Sequence, residues 1–171
     1  FAGYSTCAIG VALCLGFILP ENFKYPYAAV GFSDFWQRWH ITLSAWLRDY
    51  LYIPLGGNRQ GQLKTYINLM VTMLLGGLWH GAGWTFVIWG GLHGLYLVIN
   101  QLWQTARERF FGHDLSRSSR LGRVVSVLLT FICVVVAWVF FRATSLDAAA
   151  NVLKGMIGFH GMALPIEWRA F

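Results

Sequence analysis

Residues 65–103 read TYINLMVTMLLGGLWHGAGWTFVIWGGLHGLYLVINQLW, a run without one charged side chain. As a single straight helix it would be roughly 55–60 Å long at about 1.5 Å per residue. The hydrocarbon core of a bilayer is only about 30 Å thick, so the run is expected to break. Gly76, Gly77, Gly81 and Gly83 cluster around His80 and mark the place. Irregular backbone at membrane depth survives only inside protein or beside a water-filled cavity. His80 is therefore expected to line an internal cavity and not to face lipid.

The rest of the chain agrees with a membrane environment. Of its 171 residues, 57% are hydrophobic and 12% charged, and the mean hydropathy is +0.53. Soluble domains carry about 25% charged residues, and a domain this small cannot hide so much apolar surface. The net charge of +6 comes from basic residues placed mostly between apolar runs, as positive-inside topology requires, and nucleic-acid binding is not expected. Cys7, Cys14 and Cys133 all lie in apolar runs without a CxxC pair and read as reduced core thiols.

Outward from the central run, residues 1–19 suit a membrane span or the remaining part of one. The chain opens at Phe1 inside this run, with no charged segment before it. It does not read as a signal peptide, and the chain is expected to be the C-terminal part of a longer polytopic protein. Residues 33–55, SDFWQRWHITLSAWLRDYLYIPL, are too polar for a lipid-facing span and too aromatic for a free loop. They predict an interfacial or re-entrant helix, opened by Asp34 and Gln37 as a capping box and ended by Pro54, Gly56 and Gly57. Residues 104–123 are polar and basic and read as a cytoplasmic loop. Residues 124–141 read as a clear span closed by Arg142, and residues 145–157 as a short amphipathic helix.

Ionisable groups in a membrane are candidates for function. Of the five histidines, His80, His40 and His93 lie in or beside the apolar segments, while His113 and His160 read as solvated. His80 can be a packing histidine bonded to a carbonyl. It can also be a general base, since imidazole titrates near neutrality and can take a proton from an alcohol and return it to a leaving group. His40, in WQRWHITLS, is balanced between anchoring its helix beside Trp36 and Trp39 and acting in catalysis. Arg48 and Asp49 can pair locally or meet substrate. On one continuous helix His93 would point about 220° away from His80, and a packing role is the simpler one for it. GxSxG, Walker A, GxGxxG and HExxH are all absent from the sequence, which leaves hydrolase triads, nucleotide cradles and zinc unsupported. A bis-histidine haem rests on His80 and His93 alone. A transporter or channel segment with a polar intramembrane cavity is the main rival, since transporters also use broken helices.

The segments FSDFWQRWHITLSAWLRDYLYIPLGGNR (residues 32–59) and NLMVTMLLGGLWHGAGWTFVIWGGLHG (residues 68–94) closely resemble the membrane-bound O-acyltransferase family. The nearest branch resembles bacterial alginate O-acetyltransferases and teichoic acid D-alanyl transfer proteins. What carries the resemblance is the ordered set of WH, RDYLYIPLGG and LWHG, and it covers roughly residues 3–100. One departure is Gly3-Tyr4-Ser5-Thr6, where many alginate-type members are expected to read GYSD.

The resemblance implies an all-α, polytopic integral membrane fold, a bundle with broken or re-entrant helices around a tunnel, of which residues 1–171 form one transmembrane part. It implies transfer of an acyl group, acetyl by branch, from a thioester donor (acyl-CoA or acyl carrier protein) toward hydroxyls of an extracytoplasmic polysaccharide. It places the family's catalytic histidine on His80 and a second candidate on His40, with Trp79, Trp39, Arg48 and Asp49 shaping the tunnel or a partner surface. No bound cofactor or metal is implied. The partners implied are the acyl donor, the bilayer and an extracytoplasmic acyltransferase or esterase-like protein, and the location is the bacterial inner membrane.

Overall fold

A computed structural model describes residues 2–112 and 119–159, and among these residues the fold is all-helical. His113 and His160, read above as solvated, lie outside them. Helix α1 covers Ala2–Cys14, and the chain leaves it through a turn at Gly16 with φ 82°. Its 13 residues reach about 20 Å, so the described helix is shorter than the span expected over residues 1–19. The apolar residues after it are not helical, since a left-handed glycine commonly ends a helix.

Residues 33–55 do not form one helix. Helix α2 (Phe32–Arg38) and helix α3 (Ile41–Leu47) are seven residues each, separated by Trp39 and His40. A π-helical turn, Arg48–Tyr52, continues α3. The N-cap of α2 is Gly31, not Asp34. Asp34 lies inside the first turn, where Oδ2 accepts from the Val30 N–H at 2.8 Å and Oδ1 pairs with Arg38 Nε at 2.7 Å. A salt bridge four residues along the helix thus takes the carboxylate that a capping box would have used.

Helix α4 (Gln62–His80) and helix α5 (Trp84–Phe111) form an antiparallel hairpin across the break at residues 81–83. Glycines let the two backbones touch. A methyl group added at Gly90 would collide with the Met73 carbonyl oxygen and lie 3.3 Å from the Gly77 Cα. One added at Gly94 would lie 2.8 Å from Met70 Sδ. Gly76 and Gly77 therefore serve packing inside α4, and only Gly81 and Gly83 belong to the break. The polar stretch read as a loop over residues 104–123 is shorter than expected, since α5 runs to Phe111 and helix α6 begins at Arg120.

Helix α6 (Arg120–Arg142) has 23 residues, about 34 Å. Among the described residues it is the one helix both long and apolar enough to cross a membrane. Its buried residues Thr130, Val134 and Ala137 fall on one face, at helical spacing. Thr130 bolts this face to α2: its Oγ1 accepts from the Gly31 N–H at 3.1 Å and donates to the Ser126 carbonyl at 2.7 Å. Asn100 of α5 donates to Ser33 Oγ at 3.1 Å, so α2 is clamped between α5 and α6. Helix α7 (Leu146–Met156) starts on Ser145, whose hydroxyl accepts from the Ala148 N–H at 3.1 Å. The core where α2, α4, α5 and α6 meet is mostly aromatic, with Phe32, Phe35, Trp36 and Trp89 all buried.

Candidate active site

The two histidines of the family motifs reach one place by different backbone devices. His80 is the last residue of α4. The next residue has to be small, because a Cβ on Gly81 would lie 2.5 Å from the Phe86 ring. His40 occupies the α2–α3 junction with φ 43° and ψ 56°, a left-handed conformation that costs a non-glycine residue roughly 1–2 kcal/mol. Hydrogen bonds hold it there. The Ile41 N–H donates to the Asn22 carbonyl at 3.0 Å, and the Thr42 N–H and Oγ1 donate to Asn22 Oδ1 at 3.1 and 2.7 Å. The Lys24 N–H donates to the Arg38 carbonyl at 2.9 Å, so the connector after α1 braces the kink from outside.

Both imidazoles line a pocket of about 360 Å³. The α2–α3 region contributes Trp36, Trp39, His40 and Leu43; α4 ends it with Trp79 and His80; α5 adds Trp89; α6 closes it with Trp138 and Phe141. His80 is held edge-on by three rings, with centroids at 4.8 Å for Trp79, 5.2 Å for Trp89 and 5.1 Å for Phe141. Trp39 stacks against Phe35 at 5.8 Å and meets Trp138 at 4.8 Å. The walls are apolar apart from the two imidazoles and the indole N–H groups, and the pocket is partly open, with His80 half-buried and Trp79 exposed.

Of the residues singled out from sequence, His40, His80, Trp39 and Trp79 meet at this pocket, and Arg48 and Asp49 do not. Arg48 lines a neighbouring pocket of about 230 Å³ with Ser33, Ser44, Tyr52 and Gln101, which shares Trp36 with the first. Its guanidinium Nε donates to Asp49 Oδ1 at 2.7 Å, and both side chains are exposed. The bond and charge of Arg48 hold the Asp49 carboxyl below its ordinary range, and Asp49 raises the Arg48 guanidinium. A third pocket, about 600 Å³, shares His40, Leu43 and Trp79 with the first and opens past Trp46 and Leu51. Among the described residues no three His, Cys, Asp or Glu side chains converge as a metal site would require.

The sequence reading missed Trp36, Trp89, Trp138 and Phe141 as pocket residues. Trp138 and Phe141 sit three residues apart near the end of a span, a spacing that marks a common helix face but not what that face meets. His93 proves wholly buried inside α5, ringed by aromatic side chains.

Comparison with known proteins places this architecture. The family model for membrane-bound O-acyltransferases matches residues 1–141. The chain belongs to the membrane-bound O-acyltransferase family. Its O-acyltransferase relatives include the "Peptidoglycan O-acetyltransferase" of Helicobacter pylori, 48% identical over 164 residues, covering 96% of this chain and 30% of that protein. A "Probable alginate O-acetylase" of Pseudomonas putida is 51% identical over 159 residues, 93% of this chain and 31% of the relative. The "Teichoic acid D-alanyltransferase" of Bacillus subtilis is more distant, 28% identical over 138 residues, 77% of this chain and 34% of the relative. The chain thus spans about a third of the length of these relatives, and both branches suggested by its motifs are among them. Within the membrane-bound O-acyltransferase family the integral membrane character of the fold is explained, with α6 as the clear span of this part.

Proposed function

We propose that this chain carries the acyl-transfer site of a multi-pass O-acyltransferase in a bacterial inner membrane. The enzyme moves an acetyl group from a thioester donor, acyl-CoA or an acyl carrier protein, toward hydroxyls of a cell-envelope polysaccharide. An extracytoplasmic acyltransferase or esterase-like protein receives the group and passes it on to the glycan. The observation that carries the proposal is His80 at a helix break, set in an aromatic pocket with His40 on the same wall system. The two relatives near 50% identity are named for O-acetyl transfer, which favours acetyl over D-alanyl.

In the proposed step His80 takes the proton of the acceptor hydroxyl while that oxygen attacks the thioester carbonyl carbon. A C–O bond forms and the carbonyl pair moves onto its oxygen. When the pair returns, the C–S bond breaks, and His80 gives its proton to the leaving thiolate. His40 lies along the same pocket, placed to orient the acceptor or the donor sulfur. Trp39 and Trp79 line the site, where exclusion of water on substrate binding would protect the donor from hydrolysis.

The test is His80→Ala in the full-length parent protein in its own host. Ester-linked acyl groups on the surface polysaccharide are released by mild alkali and quantified by mass spectrometry. The expected result is loss of acetyl esters at equal membrane protein level. Unchanged ester content would refute the assignment and bring the transporter reading forward.

A further inference from the structure

His93 is completely buried, and neither of its ring nitrogens has a hydrogen-bond partner. Three indole N–H groups, those of Trp36, Trp89 and Trp138, are buried and unpartnered as well. These are not scattered. The His93 ring lies 5.0 Å from Trp36, 5.0 Å from Trp89 and 6.4 Å from Trp138. All three tryptophans also line the pocket that holds His80. Five orphan polar atoms therefore sit together directly behind the pocket wall.

Burying such a group without a partner costs its full desolvation, and native proteins rarely leave it so. A phenylalanine at position 93 would stack in the same aromatic cage without that cost. The burial is achieved within this chain. A partner for them is available from the pocket, since the three tryptophans form part of its wall. The set is rich in donors: an indole offers an N–H only, and a neutral imidazole offers one N–H and one lone pair. Its complement is an oxygen that accepts several hydrogen bonds at once.

We propose that His93, with the indole N–H groups of Trp36, Trp89 and Trp138, forms the site for the carbonyl oxygen of the acyl group. The inference rests on the acyl-transfer reading of the pocket. The reach is right. Trp89 lies against both imidazoles, with ring centroids 5.2 Å from His80 and 5.0 Å from His93. A hydroxyl bonded to a base, attacking a carbonyl whose oxygen is bonded to a donor, separates base and donor nitrogens by roughly 7–9 Å. When the acceptor oxygen attacks, the carbonyl pair moves onto the oxygen held by these donors; it returns as the thiolate leaves, and the proton stays with His80 for the sulfur. Donors fixed in advance in an apolar site stabilise that oxyanion without reorganising. The site requires the indoles, which already front the pocket, to turn their N–H edges toward it.

The test uses the full-length protein in its host with three variants, reading ester-linked acetyl per unit of membrane protein and the melting temperature of the detergent-extracted protein. His93→Phe keeps the ring and removes the hydrogen-bonding atoms. It is expected to lower acetylation on the order of 10²-fold, the usual effect of losing one oxyanion donor, while the melting temperature holds or rises. His93→Gln restores an N–H donor and is expected to recover acetylation well above the phenylalanine variant. His80→Ala runs beside them. If His80→Ala abolishes acetylation but His93→Phe keeps half or more, the inference about His93 is overturned and the acyl-transfer reading stands. If His80→Ala is active, the acyl-transfer reading itself falls. If both His93 variants lose activity together with their melting transition, His93 is structural and the inference is likewise overturned.

Discussion

Adjacent glycines on α5 offer a sharp test of how the site is built. A Cβ on Gly90 meets the Met73 carbonyl oxygen, lies 3.2 Å from the Met73 carbonyl carbon and 3.3 Å from the Gly77 Cα, all backbone atoms. A Cβ on Gly91 lies 3.6 Å from one Leu74 methyl, an ordinary contact with a side chain that can turn aside. Replacing either glycine by alanine gains the same helix propensity, about 1 kcal/mol, so that contribution cancels between them. What remains is the overpacking at Gly90, about 1–3 kcal/mol, because α4 and α5 must part before the methyl fits. Carbon atoms prefer separations near 3.5–4.0 Å, so the parting is a substantial fraction of an ångström. It separates Trp89, one residue from Gly90, from His80 at the end of α4. A shift of about 1 Å at a reacting centre can cost on the order of 10²-fold in rate. In the full-length protein, Gly90→Ala should melt below Gly91→Ala and lose most acetyl transfer, while Gly91→Ala matches or exceeds wild type in both. Equal melting temperatures and equal activities for the two would refute the claim that backbone contact along this seam sets the pocket.

Other expectations follow from single contacts. Thr130→Val leaves the Gly31 N–H without its acceptor and should lower stability by about 1–3 kcal/mol, read as a fall in melting temperature. Asn68→Leu removes a buried bond, 2.9 Å, to the Gly57 carbonyl, and should make the turn at residues 53–60 a site of faster limited proteolysis. Trp138→Ala opens the α6 wall of the pocket and removes one of the proposed N–H donors, so total ester content should fall, and mass spectrometry of the remaining esters should show acyl groups longer than acetyl. Ser145→Ala removes the N-cap of α7, at a cost of about 1 kcal/mol, and should leave acetylation unchanged while speeding amide exchange across Leu146–Met156.

The sequence made some of this legible for definite reasons. The break after His80 could be read because an apolar run longer than a bilayer must be interrupted, and glycines mark where. Helix α6 was legible from its length and closing arginine, and α7 from Ser145 ahead of an amphipathic stretch. The interruption at His40 was not legible, since a left-handed histidine carries no propensity signal; it is imposed by Asn22 and the connector from α1. The extension of α5 to Phe111 was missed because polarity was taken for a loop, although Gln, Ala, Arg and Glu are good helix formers. For the site, the motifs pointed to His40 and His80 but not to their neighbours. Trp138 and Phe141 arrive by packing across a long sequence separation, and the ordered motif RDY leads to a different pocket from the one the histidines share.

The placement of Trp138 and Phe141 also bears on how the site comes into being. Both imidazoles are synthesised early in this stretch, and the α4–α5 hairpin can close as soon as Phe111 has emerged. The pocket still lacks one side until Arg142 is made and α6 has entered the membrane beside the hairpin. Chains grow from the N-terminus at about 5–20 residues per second, so for several seconds a nascent molecule holds its histidines in an open trough reachable by water. Under the proposed function the pocket is completed at a single step, the docking of α6, and a product that stops before that helix carries WH, RDYLYIPLGG and LWHG without the α6 wall of the pocket.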